Sequence, residues 1–243
     1  MNTPPKRKPP DLLTQFRQHE IHSFKDPTHA TIIADHNLTG GQDVLRMSNC
    51  EGLELSSLRL TGPKGIPGSS NHNLILVNCT YCALADLLLA CKWPRSDALN
   101  LYNSSHIRTQ HCRITGPFLG TDPEDPDIGR AICVDGMGAG GIDQRFYDMD
   151  IPSMTISCGR DTLIKNVDIT DALQIGGAYG RDKSRSVNGV TIIGGAIDEL
   201  WIAKSGVNLD AIHLSWCEIR RMTGAAKGLK VTHERDETED MER

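Results

Sequence analysis

Aromatic side chains are scarce: Phe, Trp and Tyr together make up 5% of the 243 residues. A core built without large rings must be filled by many small aliphatic groups, which disfavours a compact enzyme core around aromatic clusters. Helical periodicity is missing between residues 28 and 223, so an α-helical bundle is excluded over that span. No apolar run approaches the roughly 18 residues that a membrane helix needs, so a membrane is not an expected partner. Cations are not in surplus either. The net charge is −5, which argues against a general nucleic-acid binder, because such proteins neutralise phosphates with clustered Lys and Arg. The opening stretch MNTPPKRKPPDLL has basic residues but no apolar core segment, so no secretory signal is expected.

Eight cysteines in a chain without that signal favour reduced thiols. Cys82, Cys112 and Cys217 take places held elsewhere by Leu and Val and read as small core residues. Cys79 and Cys82 have the spacing of half a zinc site. Alternation puts their sulfurs on different parts of the chain path, and no second pair supplies the other ligands. His72, His106, His111 and His213 are scattered, and the acidic loop with Asp122, Glu124, Asp125 and Asp127 lacks the glycine punctuation of a calcium loop. No metal and no cofactor is expected.

What is present is a repeat. VLRMSNCEGLELSSLRL, NLILVNCTYCALADLLL and ALNLYNSSHIRTQHCRI align when Asn49, Asn78 and Asn103 are superposed. A hydrophobe or Cys follows each Asn after four residues (Leu53, Cys82, Ile107) and again after nine (Leu58, Leu87, Cys112). Short strands of period two, repeated at a spacing of about 20–30 residues, indicate a β-solenoid. First strands start at Val44, Asn73, Ala98, Ala131, Ser153 and Ala172, with a seventh near Leu200. Asn208 with Ile212, Leu214, Cys217 and Ile219 fits the same template. The boundaries follow: residues 1–27 form a basic arm and a short capping helix starting at Asp11, residues 28–224 the solenoid, and residues 225–243 an acidic tail.

The coil repeat, the corner residues Asn49, Asn78, Asn103 and Asn208, and the glycines Gly62, Gly116 and Gly224 carry a family resemblance. Over roughly residues 30–224 the chain resembles the right-handed parallel β-helices of the pectate-lyase-like superfamily, which includes phage tailspikes and other virion proteins. The resemblance implies an all-β right-handed parallel β-helix of about seven coils. It also implies that any enzyme activity uses a groove along one face on an acidic polysaccharide, with a lyase favoured over a hydrolase.

The register supplies candidates for that groove. Asp43, His72, Asp97, Arg130, Pro152 and Asp171 precede the first strands. Arg46, Ile75, Asn100, Cys133, Thr155 and Gln174 form one outward column, and Ser48, Val77, Tyr102, Asp135, Ser157 and Gly176 a second. Asp97 and Arg130 are the candidate catalytic residues, one coil apart. Tyr102 and Asp135 are candidate glycan contacts, as are Tyr179, Arg181 and Arg185 in the corner AYGRDKSRS. Asp97 and Asp171 are three coils, roughly 14 Å, apart at the spacing of stacked strands, beyond the about 5–9.5 Å of paired glycosidase carboxylates. No hydrolase pair is therefore expected on this face.

The tails have opposite charge. Lys6, Arg7 and Lys8 lie at one end, and the other ends in HERDETEDMER, so neighbouring copies can be knitted together by their arms. These features lead to one expectation: a virion-associated structural or attachment protein, a homotrimer that meets other virion proteins through residues 1–27 and 225–243, with a surface polysaccharide as candidate ligand. It would be made in the host cytoplasm and carried in the virion, or else secreted without a signal peptide. The alternative is a polysaccharide-active enzyme.

Overall fold

The structure is a computed structural model that describes residues 20–22, 25–33, 37–39, 43–62, 72–118, 129–137, 140–177 and 186–232. Its strands pair in parallel throughout, each with the strands one repeat before and after it. Three ladders result. The first stacks Glu20–His22, Asp43–Ser48, His72–Val77, Asp97–Tyr102 and Ile132–Asp135, then residues 153–156, 172–175, 199–202 and 221–224. The second runs from Lys25–Ile33 through Glu51–Ser56, Ala83–Ala85, Ile107–Gln110, residues 144–147 and 163–165, Val187–Ile193 and Ile212–Ser215 to Val231–Thr232. The third begins with Asn37–Thr39, Arg59–Gly62, Leu88–Cys91 and Arg113–Thr115. This is the arrangement of a parallel β-solenoid. Parallel pairing extends outside residues 28–224 at both ends, through Glu20–His22 and Val231–Thr232. Among the described residues the only helices are two 3-10 turns, Leu209–Ala211 and Ala225–Gly228. The capping helix expected from Asp11 lies outside the described residues.

The core follows from the period of two. Leu45 and Met47, Leu74 and Leu76, Leu99 and Leu101, Ile132 and Val134, Met154 and Ile156, and Leu173 and Ile175 all point inward and are buried. Successive coils stack like side chains on like, so a continuous aliphatic column replaces a compact three-dimensional core. Phe146, fully buried, is the largest of these side chains. The first-strand starts from Val44 to Ala172 stand in register, and the seventh falls at Glu199, opposite Ala172 and one residue before Leu200.

Corners are made by single residues in left-handed backbone. Between the second and third ladders these are Ser57, Asp86, His111, Asp148, Asn166, Gly194 and Trp216, all with φ between 51° and 67°. Asn49 and Asn78 turn the chain between the first and second ladders, and the Asn78 Nδ2 donates to Asn49 Oδ1 at 3.4 Å. That is one link between stacked corner side chains. Asn103 shares the conformation, but its Oδ1 accepts the Met137 amide at 2.8 Å. Asn208 differs from the expectation: its φ is −84° and its Nδ2 donates to Asn188 Oδ1 at 3.0 Å. The 3-10 turn Leu209–Ala211 takes up the extra residues before Ile212, which displaces Asn208 from the Asn49 column.

Candidate functional site

The outward side of the first ladder carries a strip of polar residues that the pleat places in successive coils. Asp43, His72 and Asp97 are neighbours at the strand entrances. His72 Nδ1 lies 2.8 Å from Asp43 Oδ1, and its Nε2 lies 3.7 Å from Asp97 Oδ2. Asn100, three residues further, donates from Nδ2 to the same Asp97 oxygen at 2.9 Å. Arg46 repeats that spacing two strands earlier and donates to Asp43 Oδ2 at 3.2 Å.

Asp97 and Arg130, the candidate catalytic pair, do come together, but through the backbone. The Arg130 amide donates to Asp97 Oδ1 at 3.0 Å. Its guanidinium runs the other way along the axis, with Nε on Thr155 Oγ1 at 3.0 Å and Nη2 on Gln174 Oε1 at 3.4 Å. Arg130 is 4% exposed, Gln174 2% and Asp97 9%. One side chain thus ties its own coil to the next two, while its amide anchors the coil before. A charge so deeply buried persists only where hydrogen bonds replace its hydration.

Tyr102 and Asp135 are direct register partners. Tyr102 is half-buried and Asp135 buried. Cys133 lies in the outward column between Asn100 and Thr155, and burial, helped by the charges of Asp97 and Asp135, pushes its thiol well up. Two buried atoms on this face have no hydrogen-bond partner, Asn100 Oδ1 and Ser157 Oγ. Tyr179, Arg181 and Arg185 lie outside the described residues.

The column spacing raises a carboxylate pair that the sequence reading passed over. Asp43 and Asp97 are two coils apart, roughly 10 Å between backbones, near the upper limit of about 9.5 Å for an inverting glycosidase. The His72 ring fills the space between them, so there is no room for a water or a glycosidic oxygen.

A second group lies further along the same ladder. Ala172 pairs with Glu199, so Asp171 and Glu199 lie on adjacent coils, offset by one residue at a register shift in the ladder. Burial raises the Asp171 carboxyl, and the neighbouring Glu199 charge raises it further against the opposing pull of Arg130 and Arg221. Glu199 accepts the Thr223 hydroxyl at 2.9 Å and pairs with Arg221. Trp201 continues the Gln174 column and lies over Gly177, where a Cβ would come within 2.7 Å of the indole. The outward columns read from the sequence stopped at Gln174 and Gly176. Extending them by the same register, through Leu200, would have reached Glu199, Trp201, Arg221 and Thr223.

The thiols also depart from expectation in one respect. The Cys79 and Cys82 side chains are hydrogen-bonded to one another, and Cys79 bonds Cys50 as well. The corner between the first two ladders turns both sulfurs into the interior, so strand alternation does not apply across it. These bonds drive the Cys79 thiol up and the Cys82 thiol down. All eight cysteines are free and buried. Among the described residues no group of three His, Cys, Asp or Glu side chains is placed to hold a metal ion. No described helix is long and apolar enough to cross a membrane. Compared with known protein families and with curated proteins, the chain matches none.

Proposed function

We propose that the chain is a structural or attachment protein of a virion, built as a right-handed β-helix of about seven coils with an N-terminal capping helix, and assembled through residues 1–27 and 225–243. The carrying observation is the state of the first-ladder face. The side chains that would line a catalytic groove there, Asp97, Asn100, Arg130, Thr155 and Gln174, are buried and bonded to one another. Such a strip stiffens a rod and presents little to a polymeric substrate. The opposite charges of the two arms support side-by-side assembly of identical copies, as a trimer. Light scattering of the full chain checks this and is expected to give a symmetric oligomer, with hydrogen exchange slowed in both arms. A monomer whose arms exchange at the free-chain rate overturns it.

One observation favours a second reading, a polysaccharide-active enzyme. Asp171 and Glu199 are acidic neighbours on adjacent coils, close enough for the Glu199 charge to raise the Asp171 carboxyl. They also divide the roles that a glycosidase pair needs. Asp171 is raised toward the protonated form, whereas Glu199 is held by Arg221 and Thr223. This favours hydrolysis over the lyase chemistry implied by the resemblance. New reducing ends from acidic polysaccharides, lost in both Asp171→Asn and Glu199→Gln, would establish it. Activity that survives both substitutions would remove these residues from consideration.

A further inference from the structure

The second ladder carries an exposed group that neither reading uses. Residues in left-handed backbone stand near the start of six successive segments of this ladder, in the order Gly52, Tyr81, His106, Asp143, Asp161 and Gly189. Tyr81 stacks face to face on His106, with centroids 4.5 Å apart and planes within 1°. On its other side the column holds Gly52, which has no side chain. Tyr81 is 55% exposed, so one face of a ring held rigid from behind is open to ligand.

Beside this stack are two cations. Arg108 and Arg145 are direct register partners, and their column neighbours are Ala83 and Leu163, neither of them acidic. Arg108 lies over the Tyr147 ring at 5.2 Å. Arg145 Nε donates to Asp143 Oδ1 at 2.6 Å, and His106 Nδ1 lies 3.0 Å from Asp143 Oδ2. The Asp143 carboxylate therefore holds Arg145 and His106 in place, and with it the six side chains carry a formal charge of +1 when His106 is neutral; Asp161 lies one coil beyond Asp143 and Glu54 one coil before Ala83. Tyr81 and Arg108 are one coil and two residues apart, roughly 8 Å, a span suited to a sugar ring and its acidic substituent.

We infer that Tyr81, His106, Arg108, Arg145 and Tyr147 form a binding site for an acidic saccharide. The pyranose stacks on the open face of Tyr81, and its carboxylate or sulfate is received by the two guanidiniums. This deepens the attachment reading, on which its biological role rests, by naming the surface and the ligand class. Polar stacking platforms held by a neighbouring ring lose little freedom on binding.

Calorimetric titration of the full chain tests the site with four probes: a galacturonate tetrasaccharide, a heparin tetrasaccharide, maltotetraose and a four-nucleotide oligo(dT). At least one acidic tetrasaccharide is expected to bind, with maltotetraose and oligo(dT) at least roughly tenfold weaker. The Arg108→Gln/Arg145→Gln variant should weaken binding by roughly tenfold or more. Tyr81→Asn should do likewise without lowering Tm, because Asn adopts positive φ more readily than Tyr, and Tyr81→Phe should retain binding. Failure of both acidic probes, equal affinity for oligo(dT) or undiminished binding in either loss variant overturns the inference. The assembly reading is tested separately: an oligomer that binds neither acidic probe refutes only this site, and a monomer that binds refutes only assembly.

Discussion

Arg130 offers the sharpest test of how the solenoid is held together. Replacing it with Met keeps much of the stem's volume while removing the guanidinium. Thr155 Oγ1 and Gln174 Oε1 then lose their donors at 3.0 and 3.4 Å, and both residues are at most 2% exposed. Hydrogen bonds to a charged group are each worth about 1.5–3 kcal/mol. Two such bonds set a scale of roughly 3–6 kcal/mol, reduced somewhat because the variant no longer buries a charge. We expect a loss of about 3–5 kcal/mol in urea unfolding, which for a chain of this size lowers Tm by on the order of 10 °C. Arg130 also pulls down the Asp171 carboxyl, so Asp171 should titrate still higher in the variant. Carboxyl NMR against pH reads that shift directly. A stability loss below about 1 kcal/mol, with Asp171 unmoved, would refute the view that Arg130 is the strut of this face.

Four other outcomes follow from the geometry. Asp171 is raised in the folded state, so the native protein binds more protons than the unfolded chain between the ordinary Asp value, about 3.9, and the raised one. Its ionisation lowers stability as pH rises through that window, and Asp171→Asn should flatten the fall in a pH series of Tm. Asp143 has the opposite sign: burial alone would raise it, but Arg145 and His106 outweigh burial and hold it low, so its contribution is present above pH about 3.9 and lost in acid. Gly195→Ala would set a Cβ 2.2 Å from the Val167 carbonyl oxygen at a φ of +78°. A loss of at least about 2 kcal/mol is expected in chemical denaturation. Burial pushes the Cys91 thiol up to about 11 and Cys112 to about 12. Native protein at pH 8 should therefore leave these two unlabelled by an aromatic disulfide reagent until denaturant is added.

The repeat was legible because stacking demands it. Val44, Asn73, Ala98 and Ala131 recur at matching places in successive coils, and the alternation of Leu99 and Leu101 with Asn100 announced which side faced in. Alternation cannot say whether an outward side chain meets water. Thr155 and Gln174 read as groove residues and are buried, because Arg130 lies along the axis over them. Corners were the other blind spot. The turn that brings Cys50, Cys79 and Cys82 together lies between strands, where a period of two has no meaning. The short 3-10 turn after Asn208 likewise shifted that residue out of the Asn49 column although its spacing to Ile212 matched. Tyr81, Arg108 and Arg145 escaped notice, and His106 read as one of several scattered histidines, for a different reason. Their sequence separations look unrelated, and only the register of the second ladder makes them neighbours.

Arg130 also has a mechanical consequence. Coils that touch only their neighbours peel one at a time when a chain end is pulled, and Val231–Thr232, two residues long, would go first. Peeling under an optical trap should proceed in small steps until it reaches Gln174. There three consecutive coils share one guanidinium, and the anchored coil before them shares its amide. They must yield together, so the trace should show one large rip in place of several small ones.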